Sequence, residues 1–555
     1  MSQSAMGHRL MRQLLGPGEW RFRAQRNRLE SVQRRRLSGI LNQVANSLQG
    51  RSAGIQSGWC WEDFAYYQPA TDYSHWRSAI ERQKADPSQG IIDSRVMRYQ
   101  PTSGSGDAIK WLPYTRKFLS ELDSAIAPWL GDLYRRYPGI RKGTHYWSLS
   151  WLPTEMRQQV SGHINDDMKL LGAGKRWLAS RTQAVPESVS LAATSDDSLF
   201  ATLAYLCARE DLSALSVWSP TFALGLLEKL GFWKEELSAV LSSGRWGLRA
   251  RSLRQLQAPL SFRAARMLRA WDGNTDAGFY QALWPNLALV SAWDTASAAP
   301  WARQLRSLLP HAPLQGKGLW ATEGVITIPQ GDQHVLAAGS HFYEFEDIST
   351  REILPSWQLE AGQQVSPLMT TGAGLLRYRL GDRLRVTGHL GQLPTLEFQG
   401  RDDSVDMVGE KLSTVAVQKV LDSMQFPAMV KPVIVLGLEQ GSDNVQRSHP
   451  QYLLLAEAPE GFPPATYRHW AQHLADQLEA GLKESFHYQL ARNLGQLESA
   501  QCLCGAGVRR QYMDACRKRG MIDGNIKVEA LRQWSGPLPV AEKGLEQSPA
   551  MDVQL

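Results

Sequence analysis

The chain has 555 residues, 43% hydrophobic and 21% charged, which is the balance of a globular protein large enough for two or more domains. No apolar run approaches the ~20 residues that cross a bilayer. The opening MSQSAMGHRLMRQLLGPGEW also lacks an apolar core of signal-peptide length, so a cytoplasmic protein with no membrane partner is expected. The net charge is +7 and there are five cysteines, few enough for a reducing compartment.

Up to about residue 95 the pattern is helical and basic. Much of the positive excess lies in RFRAQRNRLESVQRRRLSGIL, residues 21–41. Leu29, Val32, Leu37, Ile40, Leu41 and Val44 recur near helical spacing. An amphipathic helix with a solvated basic face accounts for the stretch without a nucleic-acid partner. A Trp- and Tyr-rich patch, GWCWEDFAYY, follows at 58–67. From about 140 to 330 strands alternate with helices. LSALSVWS precedes the helix PTFALGLLEKLGF, and LALVSAW precedes ASAAPWARQLRSLL. That alternation predicts a parallel sheet covered by helices.

Between about 335 and 400 the segments HVLAAGSHFYEFEDI, LLRYRLGDRLRVTGHL and PTLEFQGR predict an antiparallel sheet or small barrel joined by Gly-rich turns. After Arg401 a smaller α+β pattern begins. Ser413 is placed to cap TVAVQKVLDSM. VKPVIVLGL, QYLLLAEA and AQCLC read as strands. A helix after Pro463 and Pro464 puts Trp470, Leu474, Leu478 and Leu482 on one stripe, and VRRQYMDACRKRG reads as another helix. The expected organisation is α/β: a large domain over 1–401 with helix-covered sheets and a small barrel-like sheet, a small mobile α+β lid over 402–535, and a mobile tail over 536–555. Cys502 and Cys504 lack a second ligand pair at zinc spacing and read as buried strand cysteines.

Four stretches carry chemistry. TSGSGDAIKWLPYT, residues 102–115, is neither a Walker loop nor a dinucleotide fingerprint. Thr102, Ser103, Gly104 and Ser105 can nonetheless present N–H groups and hydroxyls to phosphate, with Lys110 as a point charge. A polar surface turn has the same composition. In QGKGLWATEGVITIP a strand-like run ends at Thr322, Glu323 and Gly324, and a carboxylate beside a phosphate loop can hold Mg²⁺. A helix cap or turn is the plainer reading. In LLRYRLGDRLRVTG, Asp382 can accept both ribose hydroxyls, or be a turn aspartate after Gly. In LEFQGRDDSVDMVGEKL, Arg401 can contact ribose or phosphate while Asp402 and Asp403 mark a hinge, or all three are a charged linker. The 20 tryptophans allow core packing or an aromatic-walled pocket.

Taken in order, these stretches resemble the adenylate-forming superfamily. THYWSLSW, SGHINDDMKLLG, VWSPTFALGLLEKL and LWPNLALVSAWDTASAAPWARQL, interleaved with the four above, resemble more narrowly the Gretchen Hagen family of acyl acid–amido synthetases, in its bacterial branch. The resemblance runs from about residue 30 to 535. It implies a ligase that uses ATP and Mg²⁺ to activate a carboxylic acid as an acyl-adenylate, releasing pyrophosphate, and that passes the acyl group to an amine, usually of an amino acid. By the same resemblance the loop from Thr102 to Lys110 holds phosphates, Thr322 belongs to the ATP site, Glu323 is a catalytic residue that holds the metal, and Asp382 and Arg401 hold the ribose. Lys527 approaches the α-phosphate as a catalytic residue, and Asp402 is the hinge. Tyr146, Trp147, Trp218, Phe222 and Tyr343 are candidates for the acyl pocket. A monomer or weak oligomer is expected. An acyl-CoA ligase shares the first half-reaction, and a basic non-catalytic binding protein is the reading of another class.

Overall fold

The structure is a computed structural model that describes residues 3–101, 110–149, 151, 181–401, 404–408, 410, 412–439, 449–519, 521, 526, 529–540 and 546–547. The chain divides into two compact units. One comprises Met1–Thr295 with Trp301–Phe398, the other Ala296–Pro300 with Gln399–Leu555.

The first unit opens with helices Gln3–Gln25, Leu29–Ala45, Leu48–Ser52, Trp61–Tyr67 and Tyr73–Ala85. The second of these buries the expected apolar stripe, except that Gln33 goes inward and Val32 stays half-buried. Gln33 does so because its amide is fully used: Nε2 donates to the Ala338 and His341 carbonyls at 2.7 and 2.9 Å, and Oε1 accepts from Tyr343 N at 2.9 Å. On the basic stretch, Arg34 pairs with Glu30 and Glu62, so part of that charge is neutralised within the fold.

Strands β1 (Val96–Pro101) and β2 (Trp111–Thr115), which flank the Ser/Thr/Gly stretch in the sequence, form an antiparallel pair. Thr115 caps the helix Arg116–Arg136, which is buried along most of its length. Strands β3 (Thr144–Trp147), β4 (Leu212–Ser216), β5 (Val290–Ala292) and β6 (Leu314–Gly316) form a four-stranded parallel sheet in that order. The helices Pro220–Phe232 and Ala299–Leu308 follow β4 and β5, as the strand–helix alternation predicts.

Next come a two-strand hairpin, β7 (Trp320–Ala321) and β8 (Gly324–Val325), and then an eight-stranded sheet. The latter is built from β9 (Thr327–Gln330), β10 (Gln333–Leu336), β11 (Phe342–Asp347), β12 (Ile353–Pro355), β13 (Gln364–Thr370), β14 (Tyr378–Arg379), β15 (Asp382–Leu390) and β16 (Leu393–Arg401). Its described pairings are antiparallel, in keeping with the expected switch of character after residue 335.

The second unit has a five-stranded mixed sheet in which 431–438 pairs with 451–457 and 531–534, and 451–457 with 501–505. Glu546–Gln547, inside the stretch read as a tail, adds an edge strand to 501–505. Ser413 caps its helix, accepting from Ala416 N at 3.1 Å. In the helix Pro464–Leu482, Leu474, Leu478 and Leu482 are buried with Ala471 and Ala475, while Trp470 packs at the margin. Cys502 and Cys504 are free and buried.

Candidate active site

The β7–β8 hairpin turns through Thr322 and Glu323 alone, and Gly324 closes it with φ +156°. Two constraints require glycine there. The conformation is costly for any residue with a Cβ, and a Cβ would lie 2.7 Å from His341 Nε2. His341 is fully buried and cannot yield easily. Its Nδ1 lies 2.8 Å from Glu121 Oε2, which also accepts from Gly372 N at 2.8 Å, and Phe118 stacks on the imidazole with centroids 5.4 Å apart. The turn therefore rests on a rigid floor from the long central helix.

Two tyrosines grip the turn from either side. Tyr114 Oη donates to the Thr322 carbonyl at 2.9 Å, and Tyr378 Oη donates to Glu323 Oε1 at 3.4 Å. Tyr114 is on β2, the strand leaving the Ser/Thr/Gly loop; Tyr378 is on β14, just before Gly381 and Asp382. Three of the four motif segments thus meet at one hairpin turn. Burial pushes the Tyr114 phenol well above its ordinary range, which keeps it a donor. Tyr378 is itself held by its neighbour: Arg377 makes a bidentate pair with Glu344 at 2.9 and 3.0 Å and donates to the Ala65 and Gln68 carbonyls, and Trp61 Nε1 donates to Glu344 at 3.0 Å. Burial raises the Glu344 pKa despite that pairing.

Asp382 is buried at the start of β15, directly after Gly381 with φ +75°. Lys110 enters β2, with Nζ 5.7 Å from the Tyr73 ring centroid. Arg401 is half-buried at the end of β16. Thr102, Ser103, Gly104, Ser105, Asp402 and Lys527 lie outside the described residues. Among the described residues there is no group of three or more His, Cys, Asp or Glu that could hold a metal. A nucleotide-bound Mg²⁺ does not require one, because one carboxylate and the substrate phosphates suffice; the half-buried Glu323 fits that role.

Of the acyl-pocket candidates, Tyr146 and Trp147 end β3, Trp218 follows β4, and Phe222 is buried in the helix after it. Tyr343 belongs to the other sheet, where it is fully enclosed and its hydroxyl donates to the Val325 carbonyl at 2.6 Å. Sequence reasoning missed four further residues at the first group. Trp293 lies 5.7 Å from Trp218, and Trp320 lies 5.4 Å from Trp129 and 5.7 Å from Trp218. Lys317, immediately after β6, places Nζ 3.9 Å from the Trp218 centroid, 5.5 Å from Trp129 and 5.9 Å from Trp147.

A four-stranded parallel sheet, an eight-stranded antiparallel sheet and a compact α+β unit are the parts of a fold also seen in solved structures of acyl acid amido synthetases. The chain superposes on a solved structure described as "AtGH3.15 acyl acid amido synthetase in complex with 2,4-DB" with TM-score 0.78 and 17% identity, covering 99% of both chains. Residues 20–314 match the GH3 family N-terminal domain and 334–401 the GH3 family central domain; the chain belongs to the GH3 family. It is 22% identical over 383 residues to the indole-3-acetic acid-amido synthetase GH3.15 of Arabidopsis thaliana, covering 62% of this chain and 64% of that one. It is 22% identical over 366 residues to the 4-substituted benzoates-glutamate ligase GH3.12 of the same plant, covering 61% of this chain and 63% of that one.

Proposed function

We propose that the protein is an ATP-dependent ligase that joins a carboxylic acid to an amine, with an amino acid as the acceptor, through an acyl-adenylate. The observation that carries this reading is the convergence on the Thr322–Glu323 turn of the strand leaving the Ser/Thr/Gly loop and the strand entering Asp382, in a chain of a family whose members include named amido synthetases.

A carboxylate is a poor electrophile because its leaving group would be oxide or hydroxide. Attack of a carboxylate oxygen on the α-phosphorus of ATP breaks the bond to pyrophosphate and leaves a mixed anhydride. The amine then forms a bond to the acyl carbon, AMP departs with the bonding pair, and the amine's proton passes to solvent. The chain's part is positioning and charge placement. Lys110 offers a positive charge beside the loop, Asp382 takes the ribose hydroxyls, and Arg401 adds a second polar contact to the nucleotide. Mg²⁺, when bound at Glu323 with the phosphates, supplies charge neutralisation for departing pyrophosphate. In this scheme Lys527 acts from the small unit, which turns about Asp402 between steps and keeps water from the anhydride. The boundaries 1–401, 402–535 and 536–555 belong to the same proposal, as does a monomer or weak oligomer. Among the described residues no helix is long and apolar enough to cross a membrane, and the five free cysteines support a cytoplasmic site. Acid-dependent exchange of pyrophosphate into ATP tests the first half-reaction; no exchange with any acid, in folded protein that binds ATP, contradicts it.

A further inference from the structure

The carboxyl edge of the parallel sheet carries a second polar feature that the adenylation scheme leaves unused. Trp147, Ser216, Ser291 and Gln315 stand in register across β3, β4, β5 and β6. Residues paired across a sheet share a face. Trp129, from the helix Arg116–Arg136, settles which face this is: its ring is 5.9 Å from Trp147, and its Nε1 donates to Gln315 Oε1 at 3.4 Å. Lys317 continues the ladder, with its N–H donating to the Ala292 carbonyl at 3.0 Å, and returns to the same face two residues after Gln315.

This face is polar where it should be dry. Ser216, Ser291 and Gln315 are 3%, 1% and 5% exposed. Ser216 Oγ, Ser291 Oγ and Gln315 Nε2 have no hydrogen-bond partner among the described residues. Buried polar atoms of this kind are costly unless a partner arrives. Above them the Lys317 ammonium, on a residue 2% exposed, sits among the faces of Trp129, Trp147 and Trp218. Indole faces hold a cation by their negative quadrupole while excluding water. A cation in such surroundings attracts an anion more strongly than it would in water. Ligands of open parallel sheets bind outside the carboxyl ends of the strands, which is where this group lies.

We propose that Lys317 is the substrate-positioning residue that receives the carboxylate of the acyl acid, with Ser216 and Ser291 as hydrogen-bond donors beneath it. The assignment rests on the adenylation reading and adds to it the group that selects an anion and orients it before attack. Trp147, Trp218 and Trp293, each half-buried, form the wall past which the acid enters.

The test uses the full chain and three pairs of probes: benzoate with benzamide, phenylacetate with phenylacetamide, and indole-3-acetate with indole-3-acetamide. Binding is read by tryptophan fluorescence and by thermal shift. Wild-type protein is expected to bind at least one carboxylate at least tenfold more tightly than its neutral amide. Lys317→Met keeps the stem and the indole packing. It should lose that discrimination and raise KM for the acid at least tenfold in pyrophosphate exchange, with KM for ATP unchanged. Ser291→Ala, which is conservative in volume, should shift acid affinity in the same direction by a smaller factor. Full discrimination by folded Lys317→Met, or no preference for any carboxylate by wild-type protein, overturns the proposal. Should Lys317→Met fail to fold, an unchanged acid affinity in Ser291→Ala overturns it. Carboxylate binding that vanishes in Lys317→Met while wild-type protein exchanges no pyrophosphate would instead support the subsite and refute adenylation.

Discussion

Gly324→Ala places the largest predicted effect on the smallest change. The added Cβ meets His341 Nε2 at 2.7 Å, His341 Cδ2 at 2.9 Å and Met369 Cε at 3.0 Å. The imidazole cannot swing away without breaking its 2.8 Å contact with Glu121. Overpacking of that kind costs about 1–3 kcal/mol, and a Cβ at φ +156° costs about 1–3 kcal/mol more. The expected total is therefore about 2–6 kcal/mol. Because the strain is relieved most cheaply by displacing the Thr322–Glu323 turn, pyrophosphate exchange should fall by more than tenfold in whatever fraction stays folded. Gly362→Ala is the control: φ is +95° with nothing within 4 Å of the new Cβ, so only the conformational cost of about 1–3 kcal/mol applies. Denaturant midpoints and initial exchange rates of both variants decide the matter. If Gly324→Ala is no less stable than Gly362→Ala and exchanges at the wild-type rate, the close packing of this turn on His341 does not constrain the site.

Glu323→Gln is isosteric on a half-buried turn, so the fold should persist while adenylate formation is lost; near-normal exchange in the folded variant would remove Glu323 from the metal site. Asp382→Ala should weaken AMP binding by about 2–4 kcal/mol through loss of charge-assisted hydrogen bonds, and unchanged affinity by calorimetry would exclude the ribose contact. The pair His8 and His145, with ring centroids 4.4 Å apart, gives a pH dependence. Burial, with His8 nearby as the lesser cause, lowers the His145 pKa to about 3, and burial lowers that of His8. His145 is therefore neutral in the folded protein down to about pH 3, whereas in the unfolded chain it takes up a proton near pH 6.5. Stability should be level above that pH and fall on acidification from about 6.5 towards 3, by up to about 1.4 kcal/mol per pH unit from His145, with His8 acting in the same direction. His145→Asn should flatten the slope; an unaltered slope would assign the acid sensitivity elsewhere.

Local patterns were legible in the sequence because local physics sets them. The strand–helix alternation, the buried cysteine strand and the Ser413 cap depend on period and propensity within a few residues. What escaped depends on partners far along the chain. Gln33 replaces Val32 on the buried face only because three backbone groups more than 300 residues away complete its hydrogen bonds. Glu121 and His341, 220 residues apart, form the floor of the site, and neither stands out in its own segment. Lys317 had a readable signal that went unused. A lysine between two glycines, directly after a strand of a parallel sheet, sits at the edge where ligands bind. Tyr343 illustrates the converse: its aromatic character in a family-like segment suggested a pocket wall, whereas its hydroxyl bonds the Val325 carbonyl inside the second sheet.

The most direct test of the amide ligase reading is product analysis. Purified protein is incubated with ATP, Mg²⁺ and an acid that supports pyrophosphate exchange, then divided between a mixture of amino acids and CoA, and followed by mass spectrometry. An acyl–amino acid amide with AMP formed in equal amount, and no thioester, is expected. A CoA thioester with every amino acid inert would contradict it.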